Sequence, residues 1–157
     1  MMLSDVMQTI VEKLNNDPWL DKHHWKAARE DDGDIVNTIR ANVHTSGEGC
    51  LLVVILPDFD AESSSSRSPV GMLEVVVSCM EAAVLNRQRQ NFATDLHVAE
   101  HVAQLLNMIQ IDGDTLVFKR LKFERLTENV VTRNVHFKIQ HVLEKGHDGK
   151  IPKSPNP

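Results

Sequence analysis

The residues with the clearest potential for chemistry form one short run, His97-Val98-Ala99-Glu100-His101. The run matches H-x-x-E-H, the inverted form of the zinc-protease motif. On a helix, His97 and His101 lie one turn apart and project the same way, so their two imidazoles could chelate zinc. Glu100 beside them could activate a metal-bound water. One hypothesis for this chain is therefore a small zinc hydrolase whose metal-site residues are His97, Glu100 and His101.

The surrounding sequence favours a structural explanation for this run. A catalytic zinc needs a third protein ligand, but the downstream acids fall at a strand end, in a turn and at the start of a tail: Glu124, Glu128 and Glu144. The apolar stripe of the helix excludes both histidines and consists of Val98, Val102, Leu105 and Ile109. A pattern of three fixed positions also matches many chains by chance. We therefore predict that the chain is not an enzyme and has no cofactor, with His97, Glu100 and His101 kept as metal candidates of the alternative.

Length and composition describe an ordinary globular chain. Its 157 residues, 41% hydrophobic and 25% charged, fit one domain. The net charge of −5 opposes nucleic-acid binding, which usually requires a basic face. No apolar run approaches the roughly 18 residues of a membrane span, and the N-terminus does not resemble a signal peptide, so we expect synthesis in the cytoplasm. Cys50 and Cys79 lie in apolar runs and are predicted to be buried, reduced thiols.

The N-terminal third is predicted to contain two helices and a connector. Ser4 is a good N-cap, and the helix after it has apolar residues at helical spacing: Val6, Met7, Ile10, Val11 and Leu14. The charged stretch 19–33 indicates a solvated connector anchored by Trp19, Leu20 and Trp25. Residues 34–44 fit either helical spacing or strand alternation, and the stop signal Ser46-Gly47 favours the helix.

The rest of the chain alternates strand and helix signals. The predicted elements are, in chain order, a central strand (50–56), a serine-rich loop (58–69), a second strand (72–80), an amphipathic helix that opens at Thr94 (94–109) and two closing strands (115–126 and 130–142). In the first closing strand the apolar phase slips, which predicts a bulge near Lys119-Arg120. The last strand alternates cleanly, which predicts one packed face and one wet face that carries His136.

These elements predict an α+β fold. Their order is helix, helix, strand, strand, helix, strand, strand, or ααββαββ. Two hairpins joined in one antiparallel sheet, with helices covering a face, make a two-layer sandwich. We predict a single α+β domain over residues 1–143 and a flexible C-terminal tail over residues 144–157, which are rich in Gly, Lys and Pro.

The order of elements resembles the tail terminator (tail-completion) proteins of tailed phages and prophages. The residues that carry the resemblance are Ile35 and Ile39, the run 49–57, Glu81 with the Asn86-Arg87 bend, and Thr94-Asp95 with the helix that they open. The two closing strands are similar to the final hairpin of the same proteins. The resemblance covers residues 35–142, and the order of the elements carries more weight than any single motif.

The resemblance implies a structural virion protein. Such proteins form a homo-oligomeric ring, usually a hexamer, that caps the tail tube and joins it to the head connector. The implied partners are further copies of the chain, the tail tube protein and the head–tail connector protein, with no membrane and no specific nucleic acid. The implied location is the host cytoplasm during assembly and the virion tail afterwards. Another head–tail connector, neck or baseplate module is the alternative, and the zinc hydrolase is the third hypothesis.

Overall fold

The structure, a computed structural model, describes residues 1–33, 49–62, 68–125 and 129–144. Its helices are α1 (Leu3–Asn15), α2 (Pro18–Lys22), α3 (Ala83–Asn86) and α4 (Asp95–Leu106). Its strands are β1 (Ala27–Arg29), β2 (Cys50–Ile55), β3 (Phe59–Ala61), β4 (Val70–Glu81), β5 (Gln110–Ile111), β6 (Asp114–Thr115), β7 (Val117–Arg125) and β8 (Val131–Val142). The helix predicted over 34–44 and the tail beyond residue 144 lie outside the described residues, and the domain boundary stays a prediction.

Helix α1 forms on the predicted apolar stripe but with a different cap. Its five buried residues are the predicted ones: Val6, Met7, Ile10, Val11 and Leu14. The predicted cap at Ser4 is wrong, because Ser4 lies inside the helix and the N-cap is Met2. The Met2 backbone N–H donates to Asp5 Oδ2 at 3.0 Å. A carboxylate in the first turn satisfies an N–H that has no intrahelical partner and complements the helix dipole, so the helix can begin before the serine.

The solvated connector predicted over 19–33 is wrong, because this stretch contains part of α2 and all of β1. Asp17 caps α2 by accepting from the Leu20 backbone N–H at 3.0 Å. Leu20 and Trp25 are buried, as expected of the predicted anchors, whereas Trp19 is half-buried. Elements of five and three residues are too short to show a hydrophobic period. The prediction of a solvated connector therefore rested on the charged residues between the anchors.

Helix α4 begins at the predicted cap. The Thr94 side chain accepts from the His97 backbone N–H at 3.4 Å, and the helix ends at Leu106, three residues before the predicted end. Val98 and Val102 of the predicted stripe are buried, whereas its other two positions, Leu105 and Ile109, are half-buried against the core.

Six strands form one mixed sheet in the order β1-β2-β4-β8-β7, with β3 also paired to β4. The pairs β2–β4, β4–β8 and β7–β8 are antiparallel, whereas β1 and β2 are parallel. The predicted α+β class is confirmed. The prediction of a wholly antiparallel sheet is wrong because β1, which was hidden in the supposed connector, adds a parallel edge. Strands β5 and β6 form a separate hairpin around a turn at Asp112-Gly113.

The loop predicted over 58–69 is wrong in its first part, where β3 pairs antiparallel with β4. Gly71 makes the close pairing possible, because a Cβ at this position would lie 2.0 Å from Asp60 O. The Phe59 ring meets the His141 ring edge-on at 6.4 Å, which anchors the strand. Residues 63–67 of the predicted loop lie outside the described residues.

Strand β7 carries the predicted bulge. Phe118 pairs with Phe137 and Arg120 pairs with His136, so Lys119 is an extra residue on β7 and the prediction is confirmed. The bulge changes which side chains of β7 point to each side of the sheet.

Helices α1 and α4 pack on one face of the sheet, here called the helix face. Its core combines helical residues with alternate strand residues, among them Leu52, Val54, Leu73, Val75, Val77, Val135, Phe137 and Ile139. The opposite face, here called the second face, has a smaller apolar cluster around Leu51, Val53 and Met80. Strand β2 is therefore buried on both faces, as predicted. Among the described residues, no helix has the length and apolar character needed to cross a membrane.

Candidate functional site

The three metal candidates do not converge in the structure. The side chains of His97 and Glu100 are exposed on α4. His101 instead lies with its Nε2 2.7 Å from Asp17 Oδ2, and its ring stacks on Trp19 at a centroid distance of 4.3 Å. Over the described part of the chain, no three His, Cys, Asp or Glu side chains are grouped in a way that could hold a metal ion. His101 joins α4 to the start of α2.

A buried polar corner lies where β4 ends and the polar bend begins. Glu81 is 0% exposed, and its carboxylate accepts from Asn86 Nδ2 at 2.5 Å, from Arg87 Nη2 at 3.2 Å and from the Asp95 backbone N–H at 3.2 Å. The hydrogen bond to Glu81 raises the pKa of the Arg87 guanidinium above its ordinary value. Both carboxylate oxygens have donors, which is the condition for burying a charge.

The corner extends to the neighbouring elements through further hydrogen bonds. Asn86 is itself buried, and its Nδ2 also donates to Ala93 O at 2.9 Å. Asp95 Oδ2 accepts from Arg133 Nε at 3.3 Å, which connects the start of α4 to β8. The Arg133 guanidinium lies 4.8 Å from the centre of the Phe123 ring on β7. These contacts hold the bend, α4, β7 and β8 in one arrangement, so the corner is built for positioning.

Gly49 completes the corner by a close approach of two backbones. Its φ of +77° is in the left-handed region that favours glycine, and a Cβ there would lie 2.5 Å from Asn86 N. Gly49 O also accepts from the Ala82 backbone N–H at 2.8 Å. The residue before β2 is thereby fastened to α3, directly beside the buried carboxylate.

A second polar group lies on the second face of the sheet. Glu74 Oε1 and His136 Nδ1 are 2.8 Å apart, and their side chains are only 18% and 12% exposed. The hydrogen bond to His136 holds the pKa of the Glu74 carboxyl below its ordinary value, against the opposing effect of burial. Asp58 and Arg120 add smaller contributions that also lower this pKa.

Further polar contacts on the second face continue toward β7. Ser78 Oγ donates to Asn134 Oδ1 at 2.6 Å, and Asn134 Nδ2 donates to Glu124 Oε2 at 3.3 Å. Thr132 Oγ1 and His136 Nε2 are buried and have no hydrogen-bond partner among the described residues. These side chains line a cleft of about 700 Å³ that also contains Val53, Ile55 and Val76. The lining of the cleft therefore combines polar atoms with apolar surface.

Sequence reasoning found one of these two groups. Glu81 and Asn86-Arg87 were selected because they resemble a family motif, and the structure unites them. The second-face cleft was missed, and the wet face predicted for β8 is largely covered at Thr132, which is 2% exposed. The alternation in β4, which places Glu74 and Ser78 on one face, was the signal that could have revealed the cleft.

Comparisons with known proteins identify the fold but no sequence family. No family model matches the chain, and no curated protein matches it. Among solved structures, the chain is similar to a chain from the virion of a native gene transfer agent particle, with a TM-score of 0.53 and 14% sequence identity. The match covers 88% of this chain and 96% of the virion chain. The two chains therefore share their fold over almost their whole lengths.

Proposed function

We propose that the chain is a structural protein of a phage or phage-like particle. One observation carries this proposal: the fold is shared over 96% of a chain that belongs to a gene transfer agent virion. An end location in the particle, after assembly in the host cytoplasm, follows from the same proposal.

The more specific proposal is a tail terminator. In this role, copies of the chain form a ring, expected to be a hexamer, that caps the tail tube and joins it to the head connector. The support is the order of elements, from the strand that ends at Glu81 through the Asn86-Arg87 bend to α4. A ring needs one surface that fits a different surface of the same chain, and an open sheet with two unlike edges provides such surfaces.

A head–tail connector, neck or baseplate module is the alternative within the same class. The shared fold supports it equally, because a likeness to a virion chain does not distinguish a tail position from a neck position. The two roles differ in the first partner: a terminator binds the tail tube, whereas a connector binds the head portal or another neck protein.

The deciding experiment combines the purified chain with tail tubes and, separately, with portal or connector protein from the same gene cluster. Electron microscopy is expected to show a ring at one end of each tube, with tubes of uniform length when the chain is present during polymerisation. Binding to the portal protein alone would select the connector role. Tubes that stay bare and lengthen freely, together with no binding to the portal protein, would contradict both roles.

A further inference from the structure

The sheet presents two different edges on its two sides. Strand β8 pairs with β4 along the whole length of β4, from Val70 to Glu81. Strand β3 also pairs with β4, so it must lie on the other side of β4, which is the side that β2 occupies. Strand β7 is the last strand on the β8 side and pairs with β8 alone among the described strands. The outer backbones of β3 and β7 are thus on opposite sides of one sheet, and neither has a strand partner among the described residues. An unpaired strand edge is a template for another strand.

The β7 edge is basic. Lys119, Arg120, Lys122 and Arg125 are all exposed, and Glu124 is already engaged by Asn134. Within the described chain, Lys119, Lys122 and Arg125 have no ion-pair partner of their own.

The β7 edge also carries apolar side chains. Leu121 is 40% exposed and Phe123 is 49% exposed. Leu121 lines a groove of about 290 Å³ with Ala103 of α4 and Phe118. Charged and apolar side chains along one free strand are the composition expected of an interface that excludes water at its centre.

The β3 edge is acidic. Asp58, Asp60 and Glu62 are exposed, and Asp60 pairs with Met72, a second-face position of β4. Asp58 and Glu62 flank β3 and form backbone hydrogen bonds with Glu74 and Val70 of β4. The side chains of Asp60 and Glu62 have no ion-pair partner among the described residues. On β7, Arg120 and Lys122 point to the same face, because they pair with His136 and Asn134.

We propose that β7 of one copy of this chain receives β3 of the next copy. The inference rests on the proposed assembly function and names the surfaces through which it occurs. Opposite charges on the same face of the two edges, with Asp60 approaching Lys122, direct the contact. Because each copy presents one acidic and one basic edge, the contact is heterologous and repeats around a closed ring. The apolar side chains Leu121 and Phe123 become buried at each junction.

Charge reversal in two separate variants tests the pairing. Lys122→Glu places acid against acid at every junction, and Asp60→Lys places base against base. Each variant alone is expected to associate on the order of tenfold more weakly than the wild type in sedimentation velocity. An equimolar mixture is expected to recover assembly, since native and reversed junctions alternate and both are attractive. Lys13→Glu on α1 makes the same charge change away from both edges and is expected to leave assembly unchanged.

A cross-link identifies the contact directly. The variant with both Asp60→Cys and Lys122→Cys, treated with a short thiol cross-linker, is expected to give a ladder beyond the dimer. Either single replacement should stay monomeric, because it places no second thiol at the junction, and the native Cys50 and Cys79 are buried. Rings without the ladder, cross-linking of position 122 to tube protein instead, or a mixture that fails to recover would overturn the edge pairing while leaving the assembly role intact. A chain that stays monomeric at high concentration, alone and with tubes or portal protein, would overturn both.

Discussion

The two faces of the sheet differ in how their buried polar groups find hydrogen-bond partners. On the helix face the core is apolar, and most of its buried polar groups are in the Glu81 corner, where both carboxylate oxygens have donors. Among the described residues, His141 Nε2, at the other end of the sheet, is the exception on this face. On the second face, paired polar side chains such as Glu74 and His136 lie beside apolar ones. There, two buried polar atoms, Thr132 Oγ1 and His136 Nε2, have no partner among the described residues.

This difference indicates a division of labour. A face whose buried polar groups are mostly satisfied internally contributes mainly to folding. A face with unsatisfied polar atoms can gain hydrogen bonds when another surface arrives. We therefore expect substitutions on the helix face to change the free energy of unfolding strongly, and substitutions on the second face to change it less.

The largest effect is expected from Val102→Asp, which places a charge in the centre of the helix face. Val102 is 0% exposed, and a buried unpaired carboxylate should lower the free energy of unfolding by more than about 4 kcal/mol. Urea denaturation followed by circular dichroism measures the loss. The control is Gln104→Asp at an exposed position of the same helix, expected to cost about 0.5 kcal/mol. Similar midpoints for both variants would show that α4 does not bury this stripe.

Glu81→Ala should have the next largest effect, because the corner then loses the carboxylate that joins the bend to α4. We expect a loss of about 3 kcal/mol in the free energy of unfolding. The loss is limited because Asn86 keeps its bond to Ala93 O and Arg87 can turn to water. The same denaturation assay applies, with Glu100→Ala on the exposed side of α4 as the control. Equal stability of the two variants would assign the corner no part in holding the fold.

The pair on the second face is expected to contribute less and to show its effect in the pH dependence. His136→Ala should cost about 1 kcal/mol at neutral pH. The pKa of Glu74 is lowered in the folded chain, so its stabilisation is present above the ordinary glutamate value of 4.5 and is lost as pH falls through the lower folded pKa. The difference between wild type and His136→Ala should therefore shrink below that value.

Denaturation midpoints measured from neutral pH to below the ordinary glutamate pKa of 4.5 test the prediction, with Gln140→Ala on β8 as the control. Gln140 is exposed, so its replacement should shift the curve by a constant small amount. A difference that grows on acidification would contradict the Glu74–His136 pairing.

Predictability from sequence followed the length of the elements. The long elements α1, α4, β4 and β8 were found because ten or more residues show their period clearly. The bulge in β7 was found for the same reason, since a phase slip is visible only within a long strand. Strands β1 and β3 have three residues each, and their pairing depends on distant partners that a local pattern does not contain. The corner around Glu81 was indicated by a resemblance. The alternation in β4 indicated one wall of the second-face cleft, whereas the wall on β8 needed the register between the two strands.

The smallest effects are expected on the outer side of α4, and they separate the two histidines of the H-x-x-E-H run. His97 is exposed, so His97→Ala should change the free energy of unfolding by less than about 0.5 kcal/mol. His101→Ala removes the contacts with Asp17 and Trp19 and should cost about 1 kcal/mol. Zinc titration followed by calorimetry completes the test, because a metal site would make both variants lose the same binding. Unequal stability with no zinc binding would leave His101 as a residue that joins α4 to α2, and stoichiometric zinc lost equally from both variants would restore the hydrolase hypothesis.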